Sequence, residues 1–153
     1  MDLLWRENML GYKRILIATD LSPQGKKTLE GALSMSKDSG ADVYIIHVLE
    51  RSPISYGGEF SIPMDTNVEQ TIEAQALAML QQIAEKYKVD ENHLHLGNGS
   101  VKTEVTTFAK KVKADLIVVG SHGGGTIGVL LGSRANAILH QAQCDVWVFK
   151  ENK

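Results

Sequence analysis

Cys144 is the single cysteine of the 153-residue chain. No internal disulfide can form, and a reducing compartment, the cytoplasm, is the expected setting. Neither sign of charge dominates. Sixteen Lys and Arg face 18 Asp and Glu, a net charge of −2, which supplies no electrostatic footprint for nucleic acid or an anionic membrane. No apolar run approaches the ~20 residues of a membrane helix. The opening residues Met1-Asp2-Leu3-Leu4-Trp5-Arg6-Glu7 lack the basic-then-apolar order of a signal peptide. A mostly disordered chain is excluded as well, because 43% of residues are hydrophobic and 22% charged. What remains is one soluble domain, long enough to bury roughly 70% of its unfolded surface without a metal or disulfide staple.

Short β-rich runs alternate with longer helical stretches. Arg14-Ile15-Leu16-Ile17-Ala18-Thr19 is apolar nearly throughout, as a strand covered on both faces should be. Asp20-Leu21-Ser22-Pro23 offers a turn, a cap and a proline suited to a first helical turn. Leu29, Ala32, Leu33 and Ser36 stripe the helix that follows, which Gly40 ends. A second strand covers residues 42–48. From 50 to about 66 the periodicity dissolves around Pro53, Gly57, Gly58 and Pro63, and this stretch is expected to be a mobile flap. Ile72, Ala76, Met79, Leu80, Ile83 and Tyr87 then share one helical face. His93-Leu94-His95-Leu96 reads as a third strand and Gly97-Asn98-Gly99-Ser100 as a turn with a cap. Val101, Val105, Phe108 and Val112 stripe a third helix, and residues 115–120 form a fourth strand. Ala135, Ile138, Leu139 and Ala142 stripe a fourth helix before a last strand, Val146-Trp147-Val148-Phe149. Such alternation implies right-handed crossovers and a parallel sheet with helices on both faces. Residues 1–10 fall outside the pattern and read as an N-terminal extension to a domain at 11–150.

Ligands of open α/β sheets bind beyond the carboxyl ends of strands, where strand order reverses. Two such ends carry suggestive residues. The first strand ends at Asp20, and the fourth ends in Gly120-Ser121-His122-Gly123, with Gly132-Ser133 after a further eight residues. Glycines let backbone amides approach an anion, and a helix start at Ser133 adds further donors. Glycine-rich turns after strands are also common without any ligand, so both readings stand. No lysine follows in the P-loop manner, and the first turn lacks the dinucleotide glycine cluster.

Single residues add little chemistry. His47 lies inside a strand and reads as a packed core histidine. His93 and His95 share a strand but find no third metal ligand. Asp115 reads as a turn residue, Cys144 has no base beside it, and Lys110, Lys111 and Lys113 read as a solvated helix face. His122 has no placed partner for general-base work.

Residues 15–22, the Ile45-Ile46-His47-Val48 strand, and Val118-Val119-Gly120-Ser121-His122-Gly123 leading to Gly132-Ser133 together resemble the universal stress protein family. The resemblance runs from Gly11 to Phe149. It implies a three-layer α/β sandwich, adenine-nucleotide α-hydrolase-like, whose five-stranded parallel sheet has the order 3-2-1-4-5. It also implies ATP, with or without Mg, as the ligand. Asp20 and the Val48 backbone would meet the adenine and ribose, and Val119 would line the pocket. Gly120, His122, Gly123, Gly132, Ser133 and Arg134 would stand along the phosphates. The family motif is G-x-x-G, nine residues, then G-[ST], whereas the spacer here has eight. The resemblance further implies a homodimer paired through the last strand. Three readings follow: a nucleotide-binding regulatory protein, a dimeric stress-response interaction protein holding no nucleotide, or at most a slow ATPase, for which only His122 and Arg134 offer charge stabilisation.

Overall fold

The computed structural model describes residues 11–37, 39–50, 66–121 and 132–150. Strand β1 (Arg14–Ala18) leads to helix α1 (Pro23–Lys37), strand β2 (Asp42–Leu49) and helix α2 (Thr66–Tyr87). A single 3-10 turn, Glu91–His93, precedes β3 (Leu94–Asn98), and α3 (Val101–Val112), β4 (Leu116–Gly120), α4 (Ser133–Gln141) and β5 (Asp145–Phe149) follow. All five strands are parallel, in the order β3-β2-β1-β4-β5. The neighbours of β1 are therefore β2, which precedes it in the sheet, and β4, reached only after two further crossovers. Strand order reverses between β1 and β4.

Alternate residues of the central strands face opposite layers. Leu16, Ile46 and Ile117 pack with Val105 and Phe108 of α3 and with Ala135 and Ile138 of α4. Ile15, Ile17, Ile45, Leu116 and Val118 pack with Leu29 and Ala32 of α1 and with Leu80 and Ile83 of α2. Both faces are covered, which is why Ile15-Leu16-Ile17, Ile45-Ile46 and Leu116-Ile117-Val118-Val119 are unbroken apolar runs. Each buried Leu, Ile or Val contributes about 1.5–3 kcal/mol of transfer free energy before the entropy of ordering is set against it.

Local chemistry sets the element ends. Ser22 Oγ accepts the Gly25 amide at 3.0 Å, so it caps α1 with Pro23 in the first turn, as the sequence indicates. Ser100 Oγ accepts the Thr103 amide at 3.4 Å and caps α3, whose C-cap Lys113 is left-handed. Gly99, at φ +123°, turns the chain from β3 into that cap.

Several expectations are corrected. His93 belongs to the 3-10 turn, while Gly97 and Asn98 continue β3, because the strand pairs with β2 as far as Leu49↔Asn98. On α2, Ile72 and Met79 are exposed, and on α4 Leu139 is exposed. Apolar spacing along the 22-residue α2 therefore overstates its buried stripe. Ala142 caps α4 rather than lying inside it. The expected flap at 50–66 falls, apart from its two end residues, outside the described residues.

Candidate functional site

Beyond the carboxyl ends of β1, β2 and β4 lies a cavity of about 410 Å³, within the size range of small-molecule sites. Its inner wall is apolar, built from Ile46, Val48, Val105 and Ile138. Thr19 is a buried polar residue of the lining, while Asp20, Glu50 and Arg134 are exposed and His47 half-buried, so they form its polar mouth. The crevice thus has an apolar end able to hold a flat ring and a polar end facing water.

The β1 side is shaped by one tight turn. The Thr19 amide donates to the Ile46 carbonyl at 3.0 Å, prolonging the β1–β2 ladder by one residue. Asp20 then turns its carboxylate back on its own loop, where Oδ1 accepts the Ser22 amide at 2.9 Å and the Ser22 hydroxyl at 2.5 Å. Leu21, between them, is left-handed at φ 61°, a conformation costing about 1–2 kcal/mol for a residue with a Cβ. Gly25 lies beneath this turn. A methyl there would overlap the Asp20 carboxylate and stand 2.9 Å from Thr19 Oγ1, so the close seat of the carboxylate over α1 requires glycine.

The β4 side closes on itself. The Ser121 amide donates to the Phe149 carbonyl at 2.9 Å, and the Gly132 amide to the Ser121 carbonyl at 3.1 Å. The two described ends of the glycine segment are thereby joined at its base. Gly132 is the N-cap of α4 and makes no side-chain cap bond. Arg134, in the first turn, reaches across to the end of β2. Its Nε donates to Glu50 Oε1 at 2.9 Å and its Nη2 to Oε2, a bidentate pair.

Of the residues singled out in the sequence, Asp20, Val48, Val119, Gly120 and Arg134 line this one cavity. Gly132 and Ser133 lie at its β4 side as cap and first residue of α4 but are not among the lining residues. His122 and Gly123 lie outside the described residues. His47 corrects the core-histidine expectation. It is half-buried on the cavity wall, and its Nδ1 lies 2.9 Å from the Thr19 carbonyl, which places the ring proton on Nδ1. Glu50, together with Glu69 and Glu73 of α2, was not anticipated. The (i, i+4) spacing of the last two was legible as one helix face, but what that face meets was not.

The remaining sequence candidates lie elsewhere. His93 stacks on Tyr44 of β2 at 4.1 Å and His95 on Phe108 of α3 at 4.3 Å, so both rings are taken up in packing. Burial holds the His95 pKa below the usual histidine range and pushes the Cys144 thiol up. Among the described residues no group of three metal-ligating side chains forms. No described helix is long and apolar enough to cross a membrane.

Fold and crevice define an open α/β protein with a ligand-sized cavity at its topological switch point. The chain belongs to the universal stress protein family, whose model matches residues 11–150. It is 47% identical over 135 residues to universal stress protein A homolog 1 of Coxiella burnetii, covering 88% of this chain and 94% of that protein. It is 34% identical over 144 residues to universal stress protein MJ0531 of Methanocaldococcus jannaschii, covering 93% and 84%. Among solved structures, the protein MJ0577 superposes with a TM-score of 0.76 at 21% identity, covering 94% of this chain and 99% of the other. A universal stress protein in complex with cAMP superposes at 0.66 with 22% identity, covering 92% and 98%.

Proposed function

We propose that this chain binds an adenine nucleotide, ATP with or without Mg, in the β1–β4 crevice and serves in the cytoplasm as a regulatory or interaction module of the stress response. One observation carries the reading: Asp20, Val48, Val119, Gly120 and Arg134, drawn from four separate segments, line a single cavity that is apolar within and polar at its mouth. The cAMP complex of a protein of the same fold supports it. In this reading Asp20 and the Val48 backbone meet the adenosine end. Gly120, His122, Gly123, Gly132, Ser133 and Arg134 meet the phosphates. Residues 11–150 act as one domain, and 1–10 extend it. No residue is assigned a catalytic role, and hydrolysis is slow at most.

A second reading has its own observation. Among the described residues strand β5 pairs only with β4, and Val146, Trp147, Val148 and Phe149 on it are all half-buried. An apolar edge strand of this kind recruits another strand, so β5 is proposed as the seam of a homodimer. Such a dimer can exist with or without nucleotide.

Calorimetric titration with Mg-ATP, of wild type and of Val101→Trp, tests the first reading. Val101 lines the cavity and is half-buried, so tryptophan there fills the crevice while circular dichroism checks the fold. Submillimolar binding by wild type, lost in the variant, is expected. No binding by wild type at millimolar ATP overturns the reading in favour of a nucleotide-free interaction protein.

A further inference from the structure

The crevice mouth carries an electrostatic feature that a nucleotide site would not need. Its described lining includes four carboxylates, Asp20, Glu50, Glu69 and Glu73, and one guanidinium, Arg134. That guanidinium is held by Glu50. The two residues are 84 positions apart and come from different walls, Glu50 directly after β2 and Arg134 in the first turn of α4.

We propose that Glu50 is a specificity-determining residue of this crevice: it holds Arg134 across the mouth, so that a ligand's phosphates must compete with a carboxylate for the cation. This inference rests on the nucleotide reading above and adds to it a selectivity against phosphate charge. Its chemistry is that of exchange. The fork geometry makes the pair specific, while side-chain exposures of 47% for Arg134 and 36% for Glu50 keep it in contact with water. An exposed pair opens at small cost, so it acts as a latch and not as a fixed strut. An anionic ligand must release Arg134 and then lie near the freed Glu50. A neutral nucleoside does neither.

Glu50→Gln keeps the side-chain shape and one acceptor oxygen and removes the charge. ATP affinity should rise about fivefold, AMP about twofold, and adenosine should not change, a gradient set by the modest worth of exposed pairs. A second readout needs no nucleotide. The Asn136 amide donates to the Gly132 carbonyl at 2.9 Å in the first turn of α4, and its hydrogen exchange should quicken about twofold when the tie to β2 weakens. Calorimetry with ATP, AMP and adenosine, beside exchange on both proteins, decides the matter. If wild type binds ATP but Glu50→Gln binds all three ligands as wild type does, or loses ATP, the latch is overturned and the nucleotide reading stands. An adenosine shift as large as that for ATP also overturns it, because the effect is then one of shape. If neither protein binds any of the three at millimolar concentration, the nucleotide reading fails and the inference falls with it.

Discussion

Strand β1 has an aspartate at each end, and the two serve different purposes. Where the strand begins, Asp115 reaches in from the turn before β4 and accepts two backbone amides, Lys13 at 2.8 Å and Arg14 at 3.0 Å. Its own amide donates to the Arg14 carbonyl at 2.9 Å, so two strands are pinned in register at their starts. Where β1 ends, Asp20 bonds within its own turn, beside a left-handed Leu21, and faces the cavity. A carboxylate that ties two segments distant in sequence holds the fold, whereas one that folds a turn back on itself shapes a surface. Breaking either should therefore harm different properties.

The largest effect should come from Asp115→Ala. Two charge-assisted bonds from the backbone amides of the exposed Lys13 and Arg14 are lost. Urea denaturation should show a loss of about 2–3 kcal/mol, while nucleotide affinity stays as in wild type. Equal damage to both would erase the contrast between the ends.

Gly25→Ala attacks the other end. The added methyl meets the tip of Asp20 and the buried Thr19 hydroxyl; the Asp20 turn gives way, and about 1 kcal/mol of helix propensity offsets part of the overlap. Stability should stay within about 1 kcal/mol of wild type, by the same urea assay, whereas ATP affinity should fall several-fold because the Asp20 turn has moved. A variant that binds normally would show that the turn's shape is not needed.

The starting end of the sheet should also carry a pH dependence. Tyr12 donates to Asp145 Oδ2 at 2.6 Å, and this bond, with some burial, raises the Tyr12 pKa. The folded state then holds the phenolic proton more tightly than the unfolded chain does. The resulting stability is complete below about pH 10 and is lost as pH rises through the folded value. Tyr12→Phe should flatten the alkaline limb of the stability curve without changing its value at neutral pH by more than the lost hydrogen bond.

His95 should give the smallest effect, of opposite sign. Burial against Phe108 lowers its pKa, so the folded state favours the neutral ring. Stability from this group is present above about pH 6.5 and falls as pH drops from there through the folded value. Denaturation midpoints at pH 5 and 7.5 should differ less in His95→Phe than in wild type. An unchanged difference would show that the ring is solvated on both sides of the equilibrium.

Much of this could be read along the chain. The apolar runs around Ile17, Ile45 and Val118 required strands covered on both faces, and Ser22-Pro23 and Ser100 marked helix starts through chemistry local to a few residues. Asp20 and Gly120 stood out because strand ends are visible in one dimension. Glu50, Glu69 and Glu73 did not, since a carboxylate in a polar stretch looks the same whether it faces solvent or a cavity. His47 misled for a related reason. A strand interior is usually core, but near its carboxyl end a strand can run past the helices that cover it. Ile72 and Leu139 show the converse, with helical spacing locating a stripe but not the point at which its partner stops.

The order and type of the described elements, and their two-sided burial, are properties of the sequence alone, because hydrophobic period and capping act over a few residues. The reversal of strand order between β1 and β4 was supplied by family resemblance rather than by local pattern. Tertiary structure decided which distant groups meet. The pairing of Glu50 with Arg134, the clamp of Asp115 on Lys13 and Arg14, and the stacking of His95 on Phe108 depend on crossover geometry and helix docking. Contacts between segments dozens of residues apart are set by the packing of the whole chain, because the loop-closure entropy of bringing them together is offset only by the combined contacts of sheet and helices.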